Sequence, residues 1–219
     1  MTGPTAHILP LGEEGWILCL GDRIDAGLHE RVVALAGRIT AAALPGVLET
    51  VPAYTTVTVF FDSLRADASQ LHAELTRLLE DASPSLSTRG FRTVEIPVRY
   101  DGPDLDEVAK RTGLSRDQVV ERHASRLYRV YLLGFAPGFA YLGELDPSLE
   151  LPRRRSPRMR VPAGSVAIAG QQTAVYPLAT PGGWHLIGTT DLRLFDPEAD
   201  PPALLRTGDR VRFIPVSSP

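Results

Sequence analysis

From Leu132 to Gly188 the chain reads LLGFAPGFAYLGELDPSLELPRRRSPRMRVPAGSVAIAGQQTAVYPLATPGGWHLIG. Proline, glycine and aromatic residues are packed here more densely than anywhere else in the sequence. No helix tolerates so many breakers, because Pro removes a backbone donor and Gly raises the entropic cost of ordering. The stretch therefore predicts short strands joined by tight, shaped loops. Loops held on a rigid sheet or barrel are where binding and catalysis concentrate.

The residues on either side supply the scaffold. Gly15 to Leu20 reads as a strand ending at Gly21-Asp22. Ile24, Leu28, Val32, Leu35 and Ile39 trace one face of an amphipathic helix, capped by Asp25 and stopped by Pro45-Gly46. Val47 to Ala53 and Thr56 to Phe61 are strand candidates. Asp67 and Gln70 open a second helix whose core face is Leu71, Leu75, Leu78 and Leu79. The order β-α-β-β-α, with a further strand after it, predicts a small ferredoxin-like α/β unit with helices on one face. Ser83 to Gly90 is small and polar and reads as a linker. We expect an α+β protein with a domain over 1–88 and a second over 89–219.

The second domain opens on Val94 to Tyr100, an alternating strand that Pro97 marks as an edge. Asp104 to Ser125 imitates a DNA-binding helix-turn-helix, with caps at Asp104/Glu107 and Ser115/Gln118. Its basic residues Lys110, Arg111, Arg116, Arg122 and Arg126 are matched by Asp104, Asp106, Glu107, Asp117 and Glu121. A nucleic-acid surface should be positive, so a structural helix pair is the better reading. Strands follow at Leu127 to Leu133, Ser165 to Gly170, Ala174 to Pro177, Trp184 to Gly188, Asp191 to Phe195 and Asp209 to Val216. So many short strands in so little chain predict a small closed β-barrel.

Composition excludes several functions. Net charge is -3, which calls for neither nucleic acid nor an anionic membrane as partner. The single cysteine, Cys19, lies in an apolar strand and has no internal disulfide partner. The N-terminus does not read as a signal peptide, and no apolar run approaches the roughly 18–20 residues of a membrane span. A cytoplasmic protein is expected. No Walker loop, Rossmann fingerprint, HExxH or Cys/His metal set is present. His7, His29 and His72 are isolated, and no metal site is expected.

Candidate site residues cluster in and just before the opening stretch. His123 ends the second helix of the pair, as a helix C-terminal cation or as a group presented to the following loops. Gly134 to Gly143 carries Phe135, Phe139 and Tyr141 around a Pro-Gly turn, as a core-filling loop or an apolar binding wall. Arg153 to Arg155 reads as a solvated loop. Arg158 and Arg160 run into a strand, a good position for a fork on a carboxylate or phosphate. Gln171, Gln172 and Thr173 offer neutral donors and acceptors to a ligand or to loop backbone.

Leu133 to Gly143, Pro157 to Val166, Gly170 to Pro177 and Pro181 to Gly188 together resemble one family, that of the 5-oxoprolinase B subunits (PxpB), also called KipI or allophanate hydrolase subunit 1. The same module occurs in the carboxyltransferase region of urea carboxylase. Gly21-Asp22, Pro45-Gly46, Val51 to Tyr54, Ile96 to Gly102 and the helix pair ending at His123 are also similar to the family. Ala140 stands where Pro is common in it, and Gln171 and Ala174 where Gly is common. The resemblance implies a cyclophilin-like β-barrel after the N-terminal domain. It implies two partners: a C-type protein (KipA, allophanate hydrolase subunit 2-like) and an A-type protein (LamB/YcsF-like). With them it would open 5-oxo-L-proline to L-glutamate using ATP, whose site this chain does not announce. In that setting Arg160, with Arg158, would hold an anion. Gln172, Thr173 and Tyr176 would orient polar groups, His123 would act as general acid or base, and Phe139 and Trp184 would wall the pocket. The alternatives in the family are a KipI-type inhibitor of a sensor histidine kinase and a urea- or allophanate-pathway component.

Overall fold

A computed structural model describes residues 6–81 and 91–217. The chain divides into two compact units, Met1–Gly90 and Phe91–Pro219. The expected linker, Ser83 to Gly90, lies outside the described residues.

In the first unit, strands β1 (His7–Pro10), β2 (Gly15–Cys19), β3 (Val47–Ala53) and β4 (Thr56–Phe61) form one sheet in the order β1-β2-β4-β3. Every pairing in it is antiparallel. Helices α1 (Ala26–Ala42) and α2 (Ala68–Glu80) share a core with this sheet, built on Leu18, Val32, Leu35, Ile39, Val57, Val59 and Leu75. Asp25 caps α1 by accepting from Leu28 N at 2.9 Å. Asp67 caps α2 by accepting from Ser69 N and Gln70 N. Two details differ from expectation. Ile24 precedes the helix and is 61% exposed. The fourth described strand of the sheet is β1, paired to β2 from the N-terminal side, and the place after α2 where a further strand is expected falls largely outside the described residues. The β1 sequence, HILP, is too short and proline-ended to announce itself.

The second unit contains β5 (Thr93–Val98), β6 (Leu127–Leu133), β7 (Ala140–Gly143), β8 (Arg158–Val161), β9 (Ser165–Ala169), β10 (Gln172–Val175), β11 (Thr180–Gly182), β12 (His185–Thr189) and β13 (Arg210–Pro215). Seven of them make one sheet in the order β12-β9-β10-β7-β6-β13-β5. The β13–β5 pair is parallel, and the other described pairs are antiparallel. Strands β8 and β11 pair with each other as a separate two-stranded ribbon. The expected strand from Asp191 to Phe195 reduces to an isolated bridge between Phe195 and Ala203. Its polar groups are spent otherwise: Thr190 Oγ1 accepts from Leu192 N, and the Asp191 carboxylate binds Arg99.

The large sheet nearly closes on itself. Beyond β5, Arg99 exchanges backbone hydrogen bonds with Thr189 of β12, at 2.9 and 2.7 Å. The chain then runs along β12, with Gly102 N donating to Ile187 O and Asp104 N to Leu186 O. This seam demands glycine. A Cβ at Gly102 would stand 2.4 Å from Ile187 C and Leu186 O, and one at Gly188 2.6 Å from Arg99 O. Inside lies the core of Ile96, Val98, Tyr128, Val130, Leu142, Val166, Ile168, Val211 and Phe213.

Helices α3 (Leu105–Thr112) and α4 (Arg116–Ala124) add Leu105, Val108 and Val119 to that core. Their apolar faces are thereby spent on the barrel. Ser115 and Gln118 form the expected capping box. Asp104 makes no cap hydrogen bond, because its carboxylate is used elsewhere. Among the described residues no helix is long and apolar enough to cross a membrane, and no group of three or more His, Cys, Asp or Glu is placed to hold a metal ion.

Closure at backbone distance makes a specific demand. Gly102→Ala should destabilise the second unit by about 3 kcal/mol, since the seam must part to admit a methyl group. Urea unfolding of the whole chain measures this, and an unchanged midpoint would show that the seam does not hold the barrel.

Candidate functional site

Successive residues of a strand point to opposite sides of its sheet. Strands β7, β10, β9 and β12 use both sides. Ala140, Leu142, Val166, Ile168, Val175 and Ile187 face the barrel core. Tyr141, Ala167, Ala169, Ala174, Tyr176 and Leu186 face outward into a second cluster with Phe139, Val161 and Trp184. The sequence-predicted site residues are divided between these two sides.

On the inner side, His123 is fully buried at the end of α4. Its Nε2 lies 2.8 Å from Thr173 Oγ1 and its Nδ1 2.7 Å from the Tyr100 hydroxyl. The ring is stacked on Phe213 at 4.6 Å. Thr173 spends its one hydroxyl proton on Ala167 O at 3.0 Å. Thr173 Oγ1 must then accept, so His123 carries its proton on Nε2 and accepts from Tyr100 through Nδ1. The Tyr128 hydroxyl donates to His123 O. Burial lowers the His123 pKa to about 3 and raises that of Tyr100. The expectation of a general acid or base tuned near neutrality does not fit this setting. The ring is sealed from solvent, neutral, and bonded at both nitrogens. His123 instead fastens α4 and the end of β5 to β10.

On the outer side, Phe139, Tyr176 and Trp184 come together. The Phe139 ring stands edge-on to Tyr176 at 5.3 Å and to Trp184 at 6.0 Å. Tyr141 joins them at 5.0 Å from Phe139. Phe139, Tyr176 and Trp184 are almost wholly buried against the small floor of Ala167, Ala169 and Ala174. A type II turn shapes the approach: Phe139 N donates to Ala136 O, with Pro137 and Gly138 at the central positions and Gly138 at φ 76°. Ahead of it, Phe135 is held at φ 72° while 62% exposed, with its ring edge-on to Phe139 at 5.2 Å. A bulky residue in the left-handed region is strained, and such strain gathers at binding sites.

The arginines separate into distinct classes. Arg158 donates to Asp104 Oδ1 at 2.7 Å, and Arg154 donates to the same oxygen at 2.9 Å and to Glu107 at 3.1 Å. Asp104 Oδ2 accepts from Leu186 N at 2.7 Å. Burial alone would raise the Asp104 pKa. The bonds from Arg158 and Leu186 and the charges of Arg158 and Arg154 outweigh it and hold the carboxyl below its usual range. Arg154 is therefore no solvated loop residue. Arg153 lies 5.9 Å from the Trp184 ring centre, in cation–π range. Arg160 is exposed, and no ion pair engages it among the described residues. Gln172, half-buried on β10, pairs with Gly143 and Ala169 in the sheet.

Asp104 and Tyr100 are members of these clusters that the sequence does not mark as such. Tyr141 is within reach of the sequence, because the alternation that places Phe139 carries Tyr141 to the same side. Asp104 is hidden by its resemblance to a helix cap, and Tyr100 by an ordinary strand pattern.

A pH dependence follows from His123. Its folded pKa lies below the value of about 6.5 expected in the unfolded chain, so the unfolded state takes up the proton first. The stability this contributes is present above about pH 6.5 and is lost as pH falls towards 3, by up to about 1.4 kcal/mol per unit. Urea unfolding between pH 7 and 4 should show that slope flattened in His123→Gln; parallel slopes would contradict a neutral, sealed imidazole.

The chain is similar to known proteins over most of its length. Residues 6–205 match the model of the carboxyltransferase domain, subdomain C and D. The chain is 48% identical to the 5-oxoprolinase B subunit of Escherichia coli O157:H7, over 94% of each chain. It is 43% identical to the 5-oxoprolinase B subunit of Bacillus subtilis (strain 168), over 96% of this chain and 93% of that protein. It superposes on the crystal structure of TTHA0988 with a TM-score of 0.84 at 46% identity, over 94% of this chain. The chain spans 40% of the length of TTHA0988. The chain belongs to the carboxyltransferase domain family, subdomain C and D, and within it to the family of the 5-oxoprolinase B subunits.

Proposed function

We propose that the chain is the B component of an ATP-dependent 5-oxoprolinase complex, which opens 5-oxo-L-proline to L-glutamate together with an A-type and a C-type partner. The observation that carries this reading is near full-length similarity to three proteins named as 5-oxoprolinase B subunits, at 37–48% identity and over at least 93% of their lengths. The module also stands inside the longer TTHA0988 chain, which is consistent with work beside a further polypeptide.

The geometry supports a chain that is silent alone. Of the polar groups implicated, His123, Thr173 and Arg158 are engaged in internal bonds. Arg160 and the ring of Phe135 stand exposed. In this reading Arg160 meets the carboxylate of the lactam, where a guanidinium fork matches two oxygens. Phe139, Tyr176 and Trp184 form the apolar side of the site, Tyr141 and Gln172 border it, and ATP is taken up by the assembled complex. His123 and Thr173 hold the sheet on which these residues stand. In this reading the protein works in the cytoplasm.

Co-expression with the A-type and C-type partners tests the reading. The purified complex should release glutamate from 5-oxo-L-proline in an ATP-dependent manner, and the chain alone should not. Arg160→Ala should lower kcat/KM of the complex roughly 100-fold, the loss of one charge-assisted contact, with folding unaffected. A complex without glutamate release would refute the proposed activity, and an undiminished Arg160→Ala would remove Arg160 from the site.

A further inference from the structure

The residues that the sequence marks as a binding wall are covered. The β8–β11 ribbon lies over them: Val161 of β8 packs in the aromatic cluster, and Gly182 of β11 sits so close to Tyr176 that a Cβ there would stand 2.3 Å from its hydroxyl. Among the described residues the ribbon joins no larger sheet. It is continuous with the preceding loop, which is fastened at few points. Arg154 N donates to Gly183 O, His185 Nε2 meets Pro152 O at 3.0 Å, and Arg154 and Arg158 both bind Asp104.

The Asp104 clamp leaves charged donors unmet. Arg158 Nη1 and Arg154 Nε are buried without a hydrogen-bond partner among the described residues. Buried donors are almost always satisfied, and an unmet one raises the free energy of the state that buries it. The shut ribbon is thus held by a strong carboxylate clamp, yet carries donors that opening would return to water or to an anionic ligand. On the ribbon's outer side, Met159 is 87% exposed, so no described part of the chain holds it from above.

We propose that the ribbon and its preceding loop, Pro152 to Val161 with Thr180 to Gly182, form a movable strap over the aromatic cluster, and that Asp104 is the positioning residue that holds it shut. This rests on the reading that a ligand reaches Phe139, Tyr176 and Trp184. The strap lifts to admit the ligand, and an anionic group on that ligand takes up the guanidinium donors that Asp104 leaves unmet. Asp104 touches no substrate. It acts through Arg154 and Arg158, and through Leu186 N it ties their position to the barrel seam.

The strap can be tested without activity, on the whole chain. In a Trp16→Phe background Trp184 is the only tryptophan. There, Asp104→Asn should raise acrylamide quenching of Trp184 and speed hydrogen exchange of the Arg158–Val161, Thr180 and Gly182 amides roughly tenfold, the scale of one charged hydrogen bond. Amides of β6 and β13 should stay as protected as before. Arg158→Ala should act in the same direction and add little to Asp104→Asn, because both release one clamp. Should Asp104→Asn fail to fold, Arg158→Ala leaves the Leu186 bond intact and carries the same comparison. Unchanged strap amides, or equal acceleration in every strand, would overturn the proposal. In the assembled complex Asp104→Asn should alter KM more than kcat, whereas a complex without glutamate release bears on the proposed activity and leaves the exchange result standing.

Discussion

The carboxylate of Asp104 sits where the barrel closes. One oxygen accepts from the backbone of Leu186 at the seam, and the other gathers Arg154 and Arg158 from the loop and ribbon. It also stands at the first turn of α3, whose Leu105 and Val108 enter the core. Seam, helix pair and strap therefore share one buried negative charge. Such a charge is tolerable only because it is bonded on both oxygens, and removing its partners would leave it costly. The seam itself depends on glycine at 102 and 188, since only there can two backbones approach within a Cβ radius.

The closed sheet sorts side chains by strand alternation. Its inner side carries a hydrogen-bonded series from Tyr100 through His123 and Thr173 to Ala167 O. Its outer side carries a floor of alanines under four aromatic rings. Residues adjacent in sequence, Thr173 and Ala174, thus serve different purposes. The first locks the barrel interior, and the second makes room for Phe139 and Tyr176. Near the outer cluster, Phe135 and Arg153 meet solvent, the first strained and the second beside the Trp184 ring.

Much of this is legible in the chain. The helices of both units, the capping box at Ser115, the edge strand marked by Pro97 and most of the barrel strands follow from periodicity and turn chemistry, whereas β7 lies in a stretch that reads as a loop. What cannot be read is tertiary in origin. An Asp three residues ahead of a Glu at a helix start has cap spacing whether or not its carboxylate is drawn off by distant arginines, as that of Asp104 is. Three consecutive arginines look alike, yet Arg153 stacks on Trp184 while Arg154 turns inward to Asp104. A histidine ending a helix before a breaker-rich loop has the local signature of a presented group. Its burial by Phe213 and Thr173, which arrive from remote parts of the chain, has no local signature. The short strand β1 and the loss of the expected strand at Asp191 to Phe195 are likewise decided by pairing partners.

The division of the sheet into a locked interior and an aromatic exterior turns most directly on the state of His123. Nitrogen-15 NMR of the histidine rings reports tautomer and titration together. His123 should show a protonated Nε2 and an unprotonated Nδ1, unchanged from pH 8 to pH 5. A His123 ring that titrates within that interval, or that carries its proton on Nδ1, would contradict that division.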